Sequence, residues 1–113
     1  MAPDHRKFDA PDEVLERAAG IFRILAAPNR LKIISYLCHG EQNVSYLLDK
    51  IDTSQANMSQ HLNAMYLARV LNRRHDGIRT YYRLADDRIA QVCKAVFAEV
   101  ENKPEFQRLK TAA

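Results

Sequence analysis

Residues 55–63 read Gln55-Ala56-Asn57-Met58-Ser59-Gln60-His61-Leu62-Asn63, and these side-chain types suit hydrogen bonding to the edges of base pairs. Met58, Leu62 and Met65 fall at i, i+4 and i+7, which puts them on one face of a helix and turns Ala56, Ser59, Gln60 and Asn63 away from it. Gln and Asn can bond an adenine edge at two points, and Ser can pair with several bases. A merely solvated helix would more often carry Glu and Lys on that edge. Further along, Arg73-Arg74-His75-Asp76-Gly77-Ile78-Arg79 reads as a hairpin with three arginines, the residue type that grips phosphate. Gln55, Ser59, Gln60 and Asn63 are therefore expected to read bases in the major groove, with Ala56 allowing close approach and Asn57 a further contact. Arg73, Arg74 and Arg79 are expected to hold the backbone or enter the minor groove, and Asn29 and Arg30 to add phosphate contacts, capping being the other reading of Asn29. His61 lies at the margin of the helix, where a DNA contact and a structural role are both open.

The remaining sequence argues against catalysis. No nucleophile elbow, no phosphate-cradling glycine loop and no histidine with a suitably spaced carboxylate is visible, and only Gly20, Gly40 and Gly77 are present. Neither an enzyme nor a cofactor is expected. Net charge is only +3, but residues 53–84 hold five arginines against Asp76 alone, whereas residues 1–20 hold three basic against five acidic side chains. Such a patch attracts a polyanion without choosing a sequence.

The elements that must position these residues follow from periodicity. A length of 113 residues with 47% hydrophobic content supports one modest core, so residues 1–113 are read as a single domain. After a loose arm over 1–10, a helix is expected over 12–26, capped by Asp12, with Val14, Leu15, Ala18, Ile21, Phe22 and Leu25 at helical spacing. Pro28 then starts a second helix, carrying Leu31, Ile33, Ile34 and Leu37, and Gly40 stops it. A helix-turn-helix follows over 43–67, with Asn43 as a cap and Val44, Leu47, Leu48 and Ile51 facing inward. Residues 70–84 read as a two-stranded wing around an Asp76-Gly77 turn, and a helix over 87–102, capped by Asp86 or Asp87, closes the domain before Pro104. The expected class is α+β, mainly α. No apolar run approaches the roughly 18 residues of a membrane span. The first residues lead into acidic sequence with no apolar signal core, so a cytoplasmic location and no membrane partner are expected.

Four segments together resemble the ArsR/SmtB family of winged-helix transcriptional repressors: Leu25-Ala26-Ala27-Pro28-Asn29-Arg30-Leu31, Gly40-Glu41 with Val44 and Leu47, Met58-Ser59-Gln60-His61-Leu62, and Gly77-Ile78-Arg79-Thr80-Tyr81-Tyr82-Arg83-Leu84. The resemblance covers roughly residues 14–100. It implies a homodimer joined by the first and last helices, a palindromic double-stranded DNA operator, and release by a small inducer or oxidant. The apolar content of the 14–25 and 89–100 helices points to an association surface independently, since it exceeds what one small core needs.

The metal-sensing patterns of that family are not matched. Where its members place thiolates at the start of the helix before the reader, this chain has Asn43 and Ser45, poor ligands for thiophilic ions. Where they place an Asp-x-His pair early in the last helix, it has Asp86-Asp87-Arg88-Ile89. No metal site is expected, although Cys38, His39 and Cys93 could meet if their helices touch. Some family members sense oxidants or reactive sulfur through one cysteine in each of these two helices, at positions that do not align with Cys38 and Cys93. The pair thus stays open between buried small hydrophobes, a thiol switch and another ligand site. Two readings compete with the repressor: a metal sensor with a non-standard site, and a winged-helix protein-interaction module, which would have no use for clustered wing arginines.

Overall fold

In the computed structural model, which describes residues 9–112, six helices surround a small antiparallel sheet. Helix α1 spans Asp12–Leu25, with Asp12 and Glu13 in its first turn and Arg23 in its last, charges that favour the helix dipole. Asp12 is not its cap; that position falls to Pro11, which offers no side-chain acceptor. Pro28 opens α2 (Pro28–Leu37), whose Ile33, Ile34 and Leu37 are buried. Its cap position is Ala27, so Asn29 does not cap it. Gly40, just beyond, turns the chain at φ 136°.

Strand β1 (Gln42–Asn43) leads into α3 (Val44–Lys50), where the Asn43 Oδ1 accepts from the Tyr46 N–H at 2.8 Å. The reading helix α4 (Gln55–Leu67) starts the same way, with the Ser54 hydroxyl accepting from the Asn57 N–H at 3.0 Å. Strands β2 (Leu71–Asp76) and β3 (Arg79–Leu84) form the wing, and α5 (Asp87–Glu101) is capped by Asp86. Fold class and element order agree with the sequence reading, apart from three differences.

The first is a third strand. The sheet order is β1-β3-β2, with Gln42 opposite Tyr82 and Asn43 opposite Tyr81, so the wing is anchored to the base of α3. The second is the turn. Asp76 pairs with Arg79, which makes Gly77-Ile78 the two-residue loop in place of Asp76-Gly77. Gly77 takes φ 62° and Asp76 stays extended in the strand, the glycine-first pattern of a type II′ hairpin. In this register Leu71 lies opposite Leu84, and Tyr82 shares their inward face. The third is a further helix, α6 (Pro104–Ala112), in which Pro104 begins a helix as well as following one.

Ile33, Ile34, Leu47, Ile51, Met58, Leu62, Met65, Val70 and Leu71 are essentially inaccessible to solvent. Each buried side chain of this size contributes about 1.5–3 kcal/mol relative to exposure. The outer helices behave differently. On α1 only Leu25 is buried, while Val14, Leu15, Ile21 and Phe22 (59% accessible) are open. On α5 the buried residues are Ala90 and Cys93, and Val92, Val96 (54%) and Val100 are open. The expected loose arm falls, for residues 1–8, outside the described residues.

Candidate nucleic-acid interface

The reading helix divides as its sequence requires. Met58, Leu62 and Met65 are fully buried on one edge, and Gln55, Ala56, Asn57, Ser59, Gln60 and Asn63 are all exposed on the other. No charged side chain interrupts that exposed edge. A cleft of about 480 Å³ separates its first turns from the wing, lined by Gln55 and Ser59 of α4, Asn43 and Ser45 at the start of α3, and Arg79 and Thr80 of β3. The sequence did not assign Ser45 and Thr80 to this surface. They enter this surface through the fold of β1 against β3, which local periodicity does not encode.

The three wing arginines do not form one cluster. Directly paired residues of antiparallel strands share a face, so the pairing of Arg73 with Tyr82 and of Arg74 with Tyr81 points the two arginines in opposite directions. The Arg73 guanidinium lies 3.9 Å from the centre of the Tyr66 ring, at the end of the reading helix. The Arg74 guanidinium stacks over Tyr81 at 4.4 Å and grips both carboxylate oxygens of Glu41, with its Nη2 2.7 Å from Oε1. That hydrogen bonding holds the Glu41 carboxyl below its ordinary pKa and raises the Arg74 pKa. Arg79 is exposed at the tip and makes no ion pair among the described residues. Ile78 beside it is fully exposed. His75 approaches the Thr80 hydroxyl at 3.0 Å.

His61 and Arg30 turn toward each other. The Arg30 Nε donates to His61 Nδ1 at 3.0 Å, and its Nη1 donates to the Ile24 carbonyl at 3.1 Å. Arg30 is therefore engaged within the fold and is not spread on the surface for phosphate, contrary to the sequence expectation. Burial first, and the neighbouring Arg30 charge second, push the His61 pKa below its ordinary value.

Cys38, the last residue associated with α2, and Cys93 on α5 line a common cavity of about 200 Å³, together with His39, Lys94 and Phe97. Cys38 is half-buried and its thiol donates to the Ser35 carbonyl at 3.0 Å, while Cys93 is buried, which pushes its thiol pKa up. Among the described residues no group of three or more His, Cys, Asp or Glu side chains is placed to hold a metal ion. With amide and hydroxyl side chains at Asn43 and Ser45, the start of α3 does not fit a thiophilic ion either. No helix of the described residues is long and apolar enough to cross a membrane.

A model for the family described as "Bacterial regulatory protein, arsR family" matches residues 27–73, from the turn before α2 into the wing. The uncharacterized HTH-type transcriptional regulator MJ1325 of Methanocaldococcus jannaschii is 33% identical over 85 residues, covering 74% of this chain and 96% of that protein. The HTH-type transcriptional regulator KmtR of Mycobacterium tuberculosis is 31% identical over 104 residues, covering 91% of this chain and 80% of that one. A solution structure of Mb0332 from Mycobacterium bovis, described as a homodimeric winged helix-turn-helix DNA-binding domain, superposes with TM-score 0.73 at 24% identity over 92% of this chain and 93% of that chain. The chain belongs to the arsR family of bacterial regulatory proteins, which are DNA-binding transcriptional regulators with a winged helix-turn-helix and not enzymes.

Proposed function

We propose that this protein is a cytoplasmic, homodimeric repressor that reads a palindromic operator and leaves it when the Cys38–Cys93 cavity is chemically altered. The observation that carries the DNA reading is the exposed, uncharged Gln55-Ser59-Gln60-Asn63 edge of α4, backed by a fully buried Met58-Leu62-Met65 edge and flanked by Arg79. In this reading Gln55, Ser59, Gln60 and Asn63 meet base edges, Ala56 and Asn57 pack close to the groove, and Arg79 meets phosphate or the minor groove. Arg73 and Arg74 contribute charge while bracing the wing against α4 and Glu41. The second copy covers the open apolar faces of α1 and α5, and two-fold symmetry then offers two reading helices to half-sites about one helical turn apart.

The shared cavity supplies the release mechanism. Cys38 is the accessible thiol and Cys93 the buried one, so an oxidant meets Cys38 first. Two thiols yield one disulfide by giving two electrons and two protons to a hydroperoxide, which is reduced to water and an alcohol, or to two waters for hydrogen peroxide. The bond needs Cα atoms within about 7 Å. It would draw the end of α2 toward α5 and shift the reading helices against their half-sites. A polysulfide would act at the same cavity by passing one sulfur atom to a thiol, which becomes a persulfide while the donor leaves as a polysulfide shorter by one sulfur.

Footprinting on the protein's own upstream DNA, reduced and peroxide-treated, tests both parts. A two-fold symmetric footprint that is lost on treatment, and kept in Cys38→Ser and Cys93→Ser, supports the proposal. Treated wild type that binds like the reduced form removes the thiol switch. A protein that binds every sequence equally removes the operator reading.

A further inference from the structure

Arg30 joins two helices that have different tasks. Its Nη1 donates to the carbonyl of Ile24 in the last turn of α1, and its Nε donates to Nδ1 of His61 in the middle of α4. Both residues are half-buried, which shields these bonds from water in part. An Nδ1 that accepts must belong to a neutral imidazole carrying its proton on Nε2. A proton on Nδ1 would set a donor against the guanidinium donor and place two positive charges side by side.

We infer that the Arg30–His61 pair is a positioning strut that sets the reading helix relative to α1, and that operator binding requires it to be intact, with His61 neutral. The inference rests on the proposed function, in which α1 lies at the seam between copies. A side chain anchored at the end of α1 then transmits the placement of the seam to the helix that must fit a groove. Neither residue touches a base in this arrangement; they act through the angle and position of Gln55, Ser59, Gln60 and Asn63.

The charges around His61 are few. Arg30 from α2 is the charged group that acts on it, α1 contributes the Ile24 carbonyl through the same guanidinium, and α4 carries no other ionisable side chain apart from Tyr66. Burial and Arg30 both favour the neutral ring, so the strut is intact at neutral pH. Since the folded protein holds the His61 pKa below the ordinary histidine value of about 6.5, the contact persists as pH falls through that value and is lost as pH falls through the lowered folded value.

The test compares wild type, His61→Gln and Arg30→Ala on the operator and on random DNA between about pH 7.5 and about pH 4.5, so that the window reaches below the lowered His61 pKa. A glutamine carbonyl can accept from Arg30 without taking a proton, so His61→Gln keeps operator affinity at the upper pH. Wild type should lose affinity on acidification by up to about tenfold per pH unit for each reading helix, and His61→Gln should lack that component. Arg30→Ala should weaken operator binding at every pH, relax the preference for the native half-site spacing, and leave random-DNA binding near wild type. An acid loss equal in wild type and His61→Gln, or an unchanged spacing preference in Arg30→Ala, overturns the strut. Should sedimentation show a monomer, or should no operator bind, the proposed function fails and hydrogen exchange along α4 decides the strut. Faster exchange in Arg30→Ala, and in wild type at the lower pH, supports it; exchange unchanged in both overturns it.

Discussion

Arg74 and Glu41 lock the wing to the segment just before α3, with two guanidinium nitrogens on one carboxylate and separations of 2.7–3.0 Å. The Arg74 charge is therefore already partnered, whereas Arg79 stands at the tip without an ion pair among the described residues. Arg79→Ala should weaken binding to all DNA sequences and flatten the salt dependence by about one counterion per subunit. Arg74→Ala should flatten it less, because the Arg74 charge is already held by Glu41 and is not free to displace a counterion. Equal slopes for both variants would show that the Glu41 pairing opens when DNA binds.

Gln60 tests base readout directly. Gln60→Ala should lose about 1–3 kcal/mol on the operator and little on random DNA. Competition titrations against both DNAs measure the difference, and equal losses would move Gln60 from reading bases to general contact.

The buried edge of the reading helix governs stability. Leu62→Ala removes a side chain that is 1% accessible and should destabilise the fold by about 2–5 kcal/mol, a large part of the roughly 5–15 kcal/mol a domain has. Urea denaturation measures it. A loss under about 1 kcal/mol would mean that the core closes over the gap.

At the end of α4, Arg69 adopts φ 63°, the left-handed conformation that glycine takes without penalty, and the Val70 N–H closes back on the Met65 carbonyl at 2.9 Å. Arg69→Gly should relieve about 1 kcal/mol of backbone strain and raise the unfolding midpoint, partly offset by the greater freedom of glycine in the unfolded chain. A lowered midpoint would show that the arginine side chain contributes more than its backbone costs.

Gly77 presents the opposite case. It has open space around its Cα but φ 62°, so Gly77→Val is opposed by conformation and not by crowding. The hairpin should lose its tip geometry, with weaker binding to operator and random DNA alike and little change in the denaturation midpoint. A large drop in that midpoint would mean that the turn supports the core as well.

What the sequence made legible was local. Asn43 and Asp86 announce their helices because an N-cap needs only one side chain and the next amide groups, and Met58, Leu62 and Met65 mark the inward edge because helical spacing is fixed. What it hid depends on partners distant along the chain. Gln42–Asn43 is too short to show strand periodicity and becomes a strand only against Tyr81 and Tyr82. The turn sits one residue later than the Asp-Gly preference suggests, in the register that sets Leu71 opposite Leu84 in place of Tyr82, a choice between distant pairs that the turn residues alone do not show. Arg30 and Arg74 look like surface cations in a linear reading, yet each is committed to a partner more than 30 positions away, at His61 and Glu41.

The open apolar faces of α1 and α5 bear on dose. In the proposed dimer, a lone chain presents one reading helix and a bare Phe22–Val96 surface, so assembly precedes tight occupancy. While single chains predominate, dimer concentration rises with the square of the amount of protein present. Twofold less protein then yields about fourfold fewer competent readers, a threshold that comes from mass action alone. A repressor built this way would silence or release its target over a narrow range of its own abundance, and substitutions on that face would move the threshold without touching a single base contact.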